Sequence, residues 1–384
     1  MSEQSEFQEL QNLRQQIDNI DLQLLNLFNQ RAKFAQQIGE VKEKYKSQAT
    51  EKIVSYRPER EKQVLNTLQQ NNSGPLPNSA ITLLFRELMS ACLALERPLK
   101  IAFLGPNGTF SESAAIRHFG KSADFIPCRS IEAVFRSVEN YQVDYAVVPI
   151  ENSIEGAVGN SLDLLLSMPS EIQIIGEVFL RINHQLLVKN KQDFANANFA
   201  EIKKVYAHHQ ALAQCHNWLV ENAPNALLIP QESNALAAQK VAENLDSNEK
   251  IAAIASLEAA ERYNLQVLQN NIENNSQNTT RFIVLGKQQV PPAENGNDKT
   301  SLIMAAPNRI GSLHELLMPF AACGVSLTKL VSRPVANALW QYVFFVDIEG
   351  HKDGSDQRVK LVLAELQKRA TFLKVLGSYP KSAF

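Results

Sequence analysis

Between Leu10 and Tyr45, apolar or aromatic residues recur every three or four positions: Leu10, Leu13, Ile17, Ile20, Leu24, Leu27, Phe34, Ile38, Val41 and Tyr45. Arg31 is the one charged residue in the series. That period predicts one long amphipathic helix. It is too long to stand alone and needs partner helices along its length. Pro58 suits the first turn of a second helix running to about Gln70, and Gly74, Pro75, Pro77 and Asn78 break the chain again. A third helix, Ser79 to Glu96, completes an all-α module closed by Arg97-Pro98.

After Pro98 the period changes. Short apolar runs predict strands at Lys100 to Gly105, Ala123 to Cys128, Asp144 to Ile150, Ile172 to Val178, Lys203 to Ala207, Ala226 to Pro230 and Ile251 to Ala255, with helical patterns between most of them. A continuous apolar strand such as YAVVPI suggests a parallel sheet covered on both faces. Gln288 to Lys299 is a linker by composition, and beyond it the pattern reads βαββαβ, the ferredoxin-like plan. The expected organisation is therefore multidomain α and α/β, with modules at 1–97, 100–287 and 299–384.

The length of 384 residues agrees with two or three domains. A 45% hydrophobic, 20% charged chain with a formal charge of -2 has no global attraction to nucleic acid or acidic lipid. The four cysteines are scattered, with no CxxC pair and no histidine at zinc-ligand spacing, so no metal is expected and the thiols read as reduced and mostly buried. No apolar run follows a basic start, and no stretch holds the roughly 18 consecutive apolar residues of a membrane span, which points to the cytoplasm.

Arg31 sits on an apolar stripe, and a buried guanidinium without an anion is costly, so it either pairs with a ligand or neighbour or snorkels to water. Arg14 and Lys42 flank the same stripe. At 1.5 Å per residue Arg14 lies ~25 Å from Arg31, so one straight helix cannot place both on one small anion. If both serve such a ligand, Arg14 reaches into a partner chain, as symmetric pairing of two long helices would allow.

LRQQID, NQR, VK, YRPERE and CLALE, in this order, resemble the all-helical chorismate mutases over nearly all of Leu10 to Glu96. The resemblance implies that Arg14, Arg31, Lys42, Arg60 and Glu61 surround chorismate, Arg14 entering from the other subunit of a homodimer. The implied reaction is an intramolecular Claisen rearrangement without nucleophile or cofactor, so catalysis comes from holding the folded conformer and stabilising the ether oxygen. Arginine forks suit the two carboxylates, Lys42 the ether oxygen and Glu61 the substrate hydroxyl. Glu96 matches a position where relatives carry Gln or Glu beside that oxygen. An ionised Glu would repel the developing charge, so mutase activity is expected to rise toward acidic pH. Arg57 and Cys92 stand where some relatives have Asp and Ser, and count with the substrate contacts.

In the middle module the turn Gly105 to Ser111, GPNGTFS, follows a strand and opens a helix, so its N–H groups suit an anion; Thr109 and Ser111 are its candidate contacts. PIENS follows the buried strand, and NTTRF enters another. A connector turn, a loop cap at Glu151 and Asn152, and an edge charge at Arg281 would explain each piece without a ligand. Together GPNGTFS, VPIENS, YAHHQALAQC, ESNALAA and TTRFIVLG resemble prephenate dehydratase across about Ile101 to Gly286. That implies two α/β lobes, akin to periplasmic binding proteins, with prephenate in the cleft. The resemblance gives Thr280 the proton-donor role, supported by Glu151; Arg281 a substrate carboxylate; and Asn152, Ser153, His208, Gln214 and Phe282 the lining. Ala207 replaces a serine found in some relatives.

NRIGSLHELL and VSRP resemble the ACT domain of prephenate dehydratases. Gly311, Ser312, Leu313 and His314 would then form the turn that holds free L-phenylalanine, with Ser332, Arg333 and Pro334 opposite across a dimer interface. Val331 replaces a usual Glu. The rival reading is a non-catalytic two-lobed sensor with a helical dimeriser. A DNA-binding version would need basic helices, yet acidic and basic residues balance over 1–97.

Overall fold

The computed structural model describes residues 3–46, 56–194, 199–244, 249–294, 296–335 and 342–382, and these form two compact units. The smaller unit is helical, drawn from Met1–Arg57, Leu65–Leu99 and Phe119–Ala123. Its helices are α1 (Glu3–Lys46) and α3 (Asn78–Glu96), while α2 (Pro58–Asn71) begins among residues Pro58–Val64 of the larger unit. At 1.5 Å per residue α1 is about 66 Å long. Its partly covered face is Arg31, Ala32, Ala35, Gly39 and Lys42, where a Cβ on Gly39 would stand 3.4 Å from Glu96 of α3. The apolar stripe is open instead: Leu13 is 56% exposed, Ile20 53%, Phe34 64% and Ile38 51%. By length and composition α3 would also qualify as a membrane span; here it lies along α1 with Ser90 and Cys92 buried.

The larger unit holds three sheets. The first lobe takes β1 (Lys100–Leu104), α4 (Phe110–Phe119), β2 (Asp124–Cys128), α5 (Ile131–Glu139), β3 (Tyr145–Asn152), β4 (Gly156–Ala157), α6 (Gly159–Ser167) and β5 (Gln173–Arg181). The second takes β6 (Gln185–Val188), β7 (Lys204–His208), α7 (His209–Gln214), α8 (His216–Asn222), β8 (Leu227–Gln231), α9 (Asn234–Ala242), β9 (Ile251–Ala255), α10 (Leu257–Arg262) and β10 (Gln266–Gln269). The chain then returns through β11 (Thr279–Gly286), which inserts between β3 and β5, giving the order β2-β1-β3-β11-β5. The second sheet runs β10-β6-β9-β7-β8.

Neither sheet is purely parallel, contrary to the reading of YAVVPI. β11 is antiparallel to both of its neighbours, and β6 is antiparallel to β9 and β10. The apolar run was a sound sign of double burial, but burial on two faces does not fix strand direction; the return crossing does.

The C-terminal part runs β12 (Asp298–Ala305), α11 (Ser312–Ala322), β13 (Leu327–Pro334), β14 (Tyr342–Glu349), α12 (Arg358–Arg369) and β15 (Phe372–Pro380), in an antiparallel sheet of order β13-β14-β12-β15. Leu302, Met304, Val346 and Ile348 bury one face against Leu316, Phe320, Val362 and Leu366 of its helices. The other face joins the first lobe's core, where Ile303, Phe345 and Tyr379 share a cluster with Val148, Leu162 and Ile283. Contact is so close at β15 that a Cβ on Gly377 would lie 2.1 Å from the Ile174 carbonyl oxygen.

Charges are buried in this joint. Arg281 donates from Nε to Glu177 at 2.8 Å, and from its terminal nitrogens to Asp347 at 2.6 Å and to the Tyr379 hydroxyl at 3.0 Å. Lys299 also reaches Glu177 at 2.9 Å, and Ser301 donates to Asp347 at 2.6 Å. Burial works against the Asp347 charge, but Arg281, Ser301, Lys299 and Lys329 outweigh it and hold the carboxyl below its ordinary range. Two cations balance two carboxylates, so removing one strands a charge. Arg281→Met is expected to destabilise the larger unit by about 3–5 kcal/mol. Urea unfolding measures this, and an unchanged midpoint would contradict it.

Candidate functional site

Within the larger unit the two lobes enclose a cleft of roughly 1060 Å³. Its first-lobe wall is the turn Gly105–Ser111 at the head of α4, the ends of β2 and β3, and the start of β11; the opposite wall is His184, α7 and the turn before α9. Ser233 caps α9 by accepting from the Leu236 N–H at 3.1 Å, and Asn234 accepts the His208 N–H at 2.8 Å, which fixes the β7 end.

Thr280 is 9% exposed and lies at the cleft. Asn152, its cross-strand partner on β3, donates from Nδ2 to the Thr280 hydroxyl at 2.8 Å and to Asn278 Oδ1 at 2.8 Å. Asn152 Oδ1 in turn accepts the N–H groups of Ile154 and Glu155 at 2.9 and 3.1 Å, so the carboxamide cannot flip without losing both. The chain of donors continues: Asn278 Nδ2 donates to Gln214 Oε1 at 3.0 Å, and Gln214 Nε2 faces Glu155 at 3.4 Å. Because Thr280 Oγ1 accepts from an amide, its own proton can be given to a group in the cleft.

His184 shares Gln214 Oε1 through Nε2 at 2.9 Å, which puts its proton on Nε2 and leaves the buried Nδ1 without a partner. Burial is the main cause lowering its pKa, partly offset by Gln214 and Glu273. His208 is likewise pushed down by burial and by His209, whose ring centroid is 4.1 Å away. Both imidazoles therefore favour the neutral form.

The structure brings Thr109, Ser111, Asn152, His208, Gln214, Thr280 and Phe282 to one cleft, and turns three other expected residues away from it. Arg281 follows Thr280 on a strand whose side chains alternate, so it points to the opposite face and is spent on Glu177 and Asp347. Glu151 is turned away for the same reason and pairs with Lys329 at 2.7 Å, so Asn152 rather than Glu151 contacts Thr280. Ser153 uses its hydroxyl to accept the Thr279 N–H at 3.0 Å. Sequence reasoning missed His184, Asn278, Glu155 and Arg129, which is the one lysine or arginine on the cleft wall among the described residues. Asn278 stood inside the quoted NTTRF; the others carried no signal beyond a polar residue at a strand end or turn.

In the helical unit Lys42 and Glu96 form an ion pair at 2.7 Å, partly buried on both sides. Arg14 and Arg31 lie on α1, Arg57 precedes α2, and Cys92 is buried on α3. Arg60 and Glu61 open α2 in the segment Pro58–Val64 that belongs to the larger unit, where Arg60 also bonds Gln63.

At the C-terminal sheet Gly311 holds φ +80°, a left-handed turn, and Ser312 bonds the Arg309 carbonyl at 2.8 Å. Ile310 and Leu313 are 100% and 37% exposed, and His314 is exposed beside them. Ser332 to Pro334 pair with the start of β14, which pairs with the end of β12, so they share one end of the sheet with that turn. Arg333 does not face the turn: it clamps Asp163 of α6 with two bonds of 2.6 Å. Val331 packs on the first lobe's core.

Residues 13–97 match the chorismate mutase type II family and residues 101–290 the prephenate dehydratase family. A bifunctional chorismate mutase/prephenate dehydratase of Neisseria gonorrhoeae is 48% identical over 96% of this chain and 96% of its own length. One from Stutzerimonas stutzeri is 46% identical over 98% and 99%. The solved prephenate dehydratase from Arthrobacter aurescens, in complex with L-Phe, is 34% identical with a TM-score of 0.65, covering 73% of this chain and 90% of that one.

The His184 environment sets a sign for stability against pH. Its folded pKa lies below the 6.5 of a free imidazole, so the unfolded chain takes up a proton that the fold refuses. The contribution is complete above about pH 6.5 and is lost as the pH falls through the folded value. The thermal midpoint of His184→Gln is expected to fall less than the parent's between about pH 7.5 and 5.5. Equal slopes in calorimetry would contradict the burial argument.

Proposed function

This chain belongs to the family of bifunctional chorismate mutase/prephenate dehydratases, and from that premise we propose how its parts divide the work. It converts chorismate to prephenate, and prephenate to phenylpyruvate with loss of carbon dioxide and the ring hydroxyl, on the route to L-phenylalanine.

The observation that carries the dehydratase assignment is the 2.8 Å bond from Asn152 to Thr280. Aromatisation drives the reaction, so the enzyme chiefly has to protonate the departing hydroxide while the ring carboxylate leaves as carbon dioxide. Thr280 gives that proton, and Asn152 holds its oxygen and supports the charge left on it. With Arg281 committed elsewhere, the substrate's carboxylates fall to Arg129 and to the N–H groups at the head of α4, near Thr109 and Ser111. Neutral His208 and His184, with Gln214 and Phe282, complete the wall without adding a competing acid.

For the mutase, Arg31, Lys42, Arg60 and Glu61 bind and polarise chorismate, with Glu96 at the ether oxygen and Arg57 and Cys92 nearby. Substrate must separate the Lys42–Glu96 pair to place the oxygen between them. The open stripe of α1 supports a homodimer in which a second copy covers it and Arg14 crosses into the partner's site. The C-terminal module is an ACT domain of ferredoxin-like plan, with L-phenylalanine at Gly311–His314 and Ser332 and Pro334 beside it. The chain works in the cytoplasm.

Chorismate supplied to the purified protein is expected to give prephenate and then phenylpyruvate. Thr280→Val should lower the dehydratase kcat by about 10²–10⁴ and leave prephenate to accumulate at the parent rate. Phenylpyruvate formed by Thr280→Val at the parent rate would remove Thr280 from its role. Glu96→Gln is expected to flatten the pH profile of prephenate formation; a slope equal to the parent's would remove Glu96 from the ether oxygen.

A further inference from the structure

The pair that faces the cleft, Asn152 and Thr280, is followed on the reverse face of the same two strands by the pair Glu151 and Arg281, which are also in cross-strand register. Alternation along β11 returns Phe282 to the cleft wall, and the register shift after Arg281 passes over Ile150 of β3. Opposite this reverse face, on the C-terminal sheet, Lys329 of β13 and Asp347 of β14 are themselves in register. Two ion pairs cross between the sheets: Glu151 to Lys329 at 2.7 Å and Arg281 to Asp347 at 2.6 Å. The four charges thus form a square with signs alternating around it. Sliding one sheet past the other would bring Arg281 toward Lys329 and Glu151 toward Asp347, and like charges repel in a buried joint.

We propose that Glu151, Arg281, Lys329 and Asp347 are positioning residues for the dehydratase, and that ligand occupancy at the Gly311 end of the C-terminal sheet reaches the cleft through them. The inference rests on the dehydratase and effector readings given above. Each catalytic side chain is covalently next to one corner of the square, so a shift of β13 or β14 moves Asn152 and Thr280 together. Arg281 and Asp347 are 7% and 6% exposed, so solvent can do little to screen such a shift. Lys329 is three residues from Ser332 along β13, and Arg333 grips α6 just beyond. No side chain of the square touches the cleft wall, so the square acts on geometry and not on the reacting atoms.

Lys329→Met tests this, because the Glu151 side chain it abandons is 36% exposed and can be hydrated. In full-length protein the expected result is a dehydratase kcat lower by about tenfold to a hundredfold with the prephenate KM within about twofold. Weakened inhibition by L-phenylalanine and an unchanged rate of prephenate formation should accompany it. Lys329→Arg, which keeps the charge, should recover most of the kcat. Amide deuterium exchange should quicken at residues 150–153 and 279–282 in Lys329→Met and not in Lys329→Arg.

An unchanged kcat, a rise in KM alone, or a Lys329→Arg variant as poor as Lys329→Met would overturn the inference. If the parent itself makes no phenylpyruvate, the dehydratase reading fails separately. The exchange measurement then still decides, and equal exchange in parent and Lys329→Met would sink the coupling.

Discussion

The buried guanidinium of Arg281 constrains more of this structure than any other group. A charge taken out of water must be matched by opposite charges with good geometry, or the fold loses several kcal/mol. Here the matching groups come from three places: Glu177 on β5, Asp347 on β14, and the Tyr379 hydroxyl on β15. The first lobe therefore cannot satisfy its own strand β11 without the C-terminal sheet, and that sheet cannot bury Asp347 elsewhere. A greasy joint of the same area would have many nearly equal docking positions, whereas a set of paired charges has one.

That constraint also explains the quality of the cleft. A strand presents alternate side chains to opposite faces, so anchoring Arg281 on one face fixes where Thr280 points on the other. Thr280 is then held by an Asn152 amide that is pinned by two backbone N–H groups and tied to Asn278 and Gln214. A hydroxyl is a weak acid, and it gives up a proton usefully only when its oxygen is fixed and its donor direction is unopposed. The network provides both with neutral groups. On the reading proposed above, the burial that lowers the pKa of His184 and His208 serves the same end, since a proton-loving base in the cleft would compete with the departing hydroxide.

Much of this was legible in the sequence because hydrophobic period is a local property. α2, α3 and most strands of the two lobes follow from it within a few residues, α1 runs from Glu3 where the periodic series begins only at Leu10, and NTTRF and PIENS mark the two strand ends that meet at the cleft. β6 and β10 escaped because four-residue antiparallel strands have too little pattern to separate them from loops. Alternation sets Arg281 and Glu151 on the face opposite Thr280 and Asn152, but what they pair with there was illegible for a different reason. Both are charged residues beside the proposed catalytic ones, and their partners Asp347 and Lys329 are distant in the chain. His184 gave no sign at all: a single histidine before a short strand acquires meaning only when Gln214 arrives beside it from another element.

The two halves of the molecule complete themselves in different ways. The dehydratase strands are finished within the chain, by a C-terminal sheet that brings both apolar cover and counter-charges. The helical half carries its charges on a helix about 66 Å long, whose apolar stripe is exposed among the described residues. Burying such a stripe contributes about 25 cal/mol per Å², so leaving it in water is costly for a helix of that length. On the reading proposed above, a second copy supplies both the missing cover and the missing cation, Arg14. The mutase then depends on association, while the dehydratase depends on the internal grip of one sheet on another. Dilution should therefore act on the first activity and leave the second, whereas loosening the C-terminal joint should do the reverse.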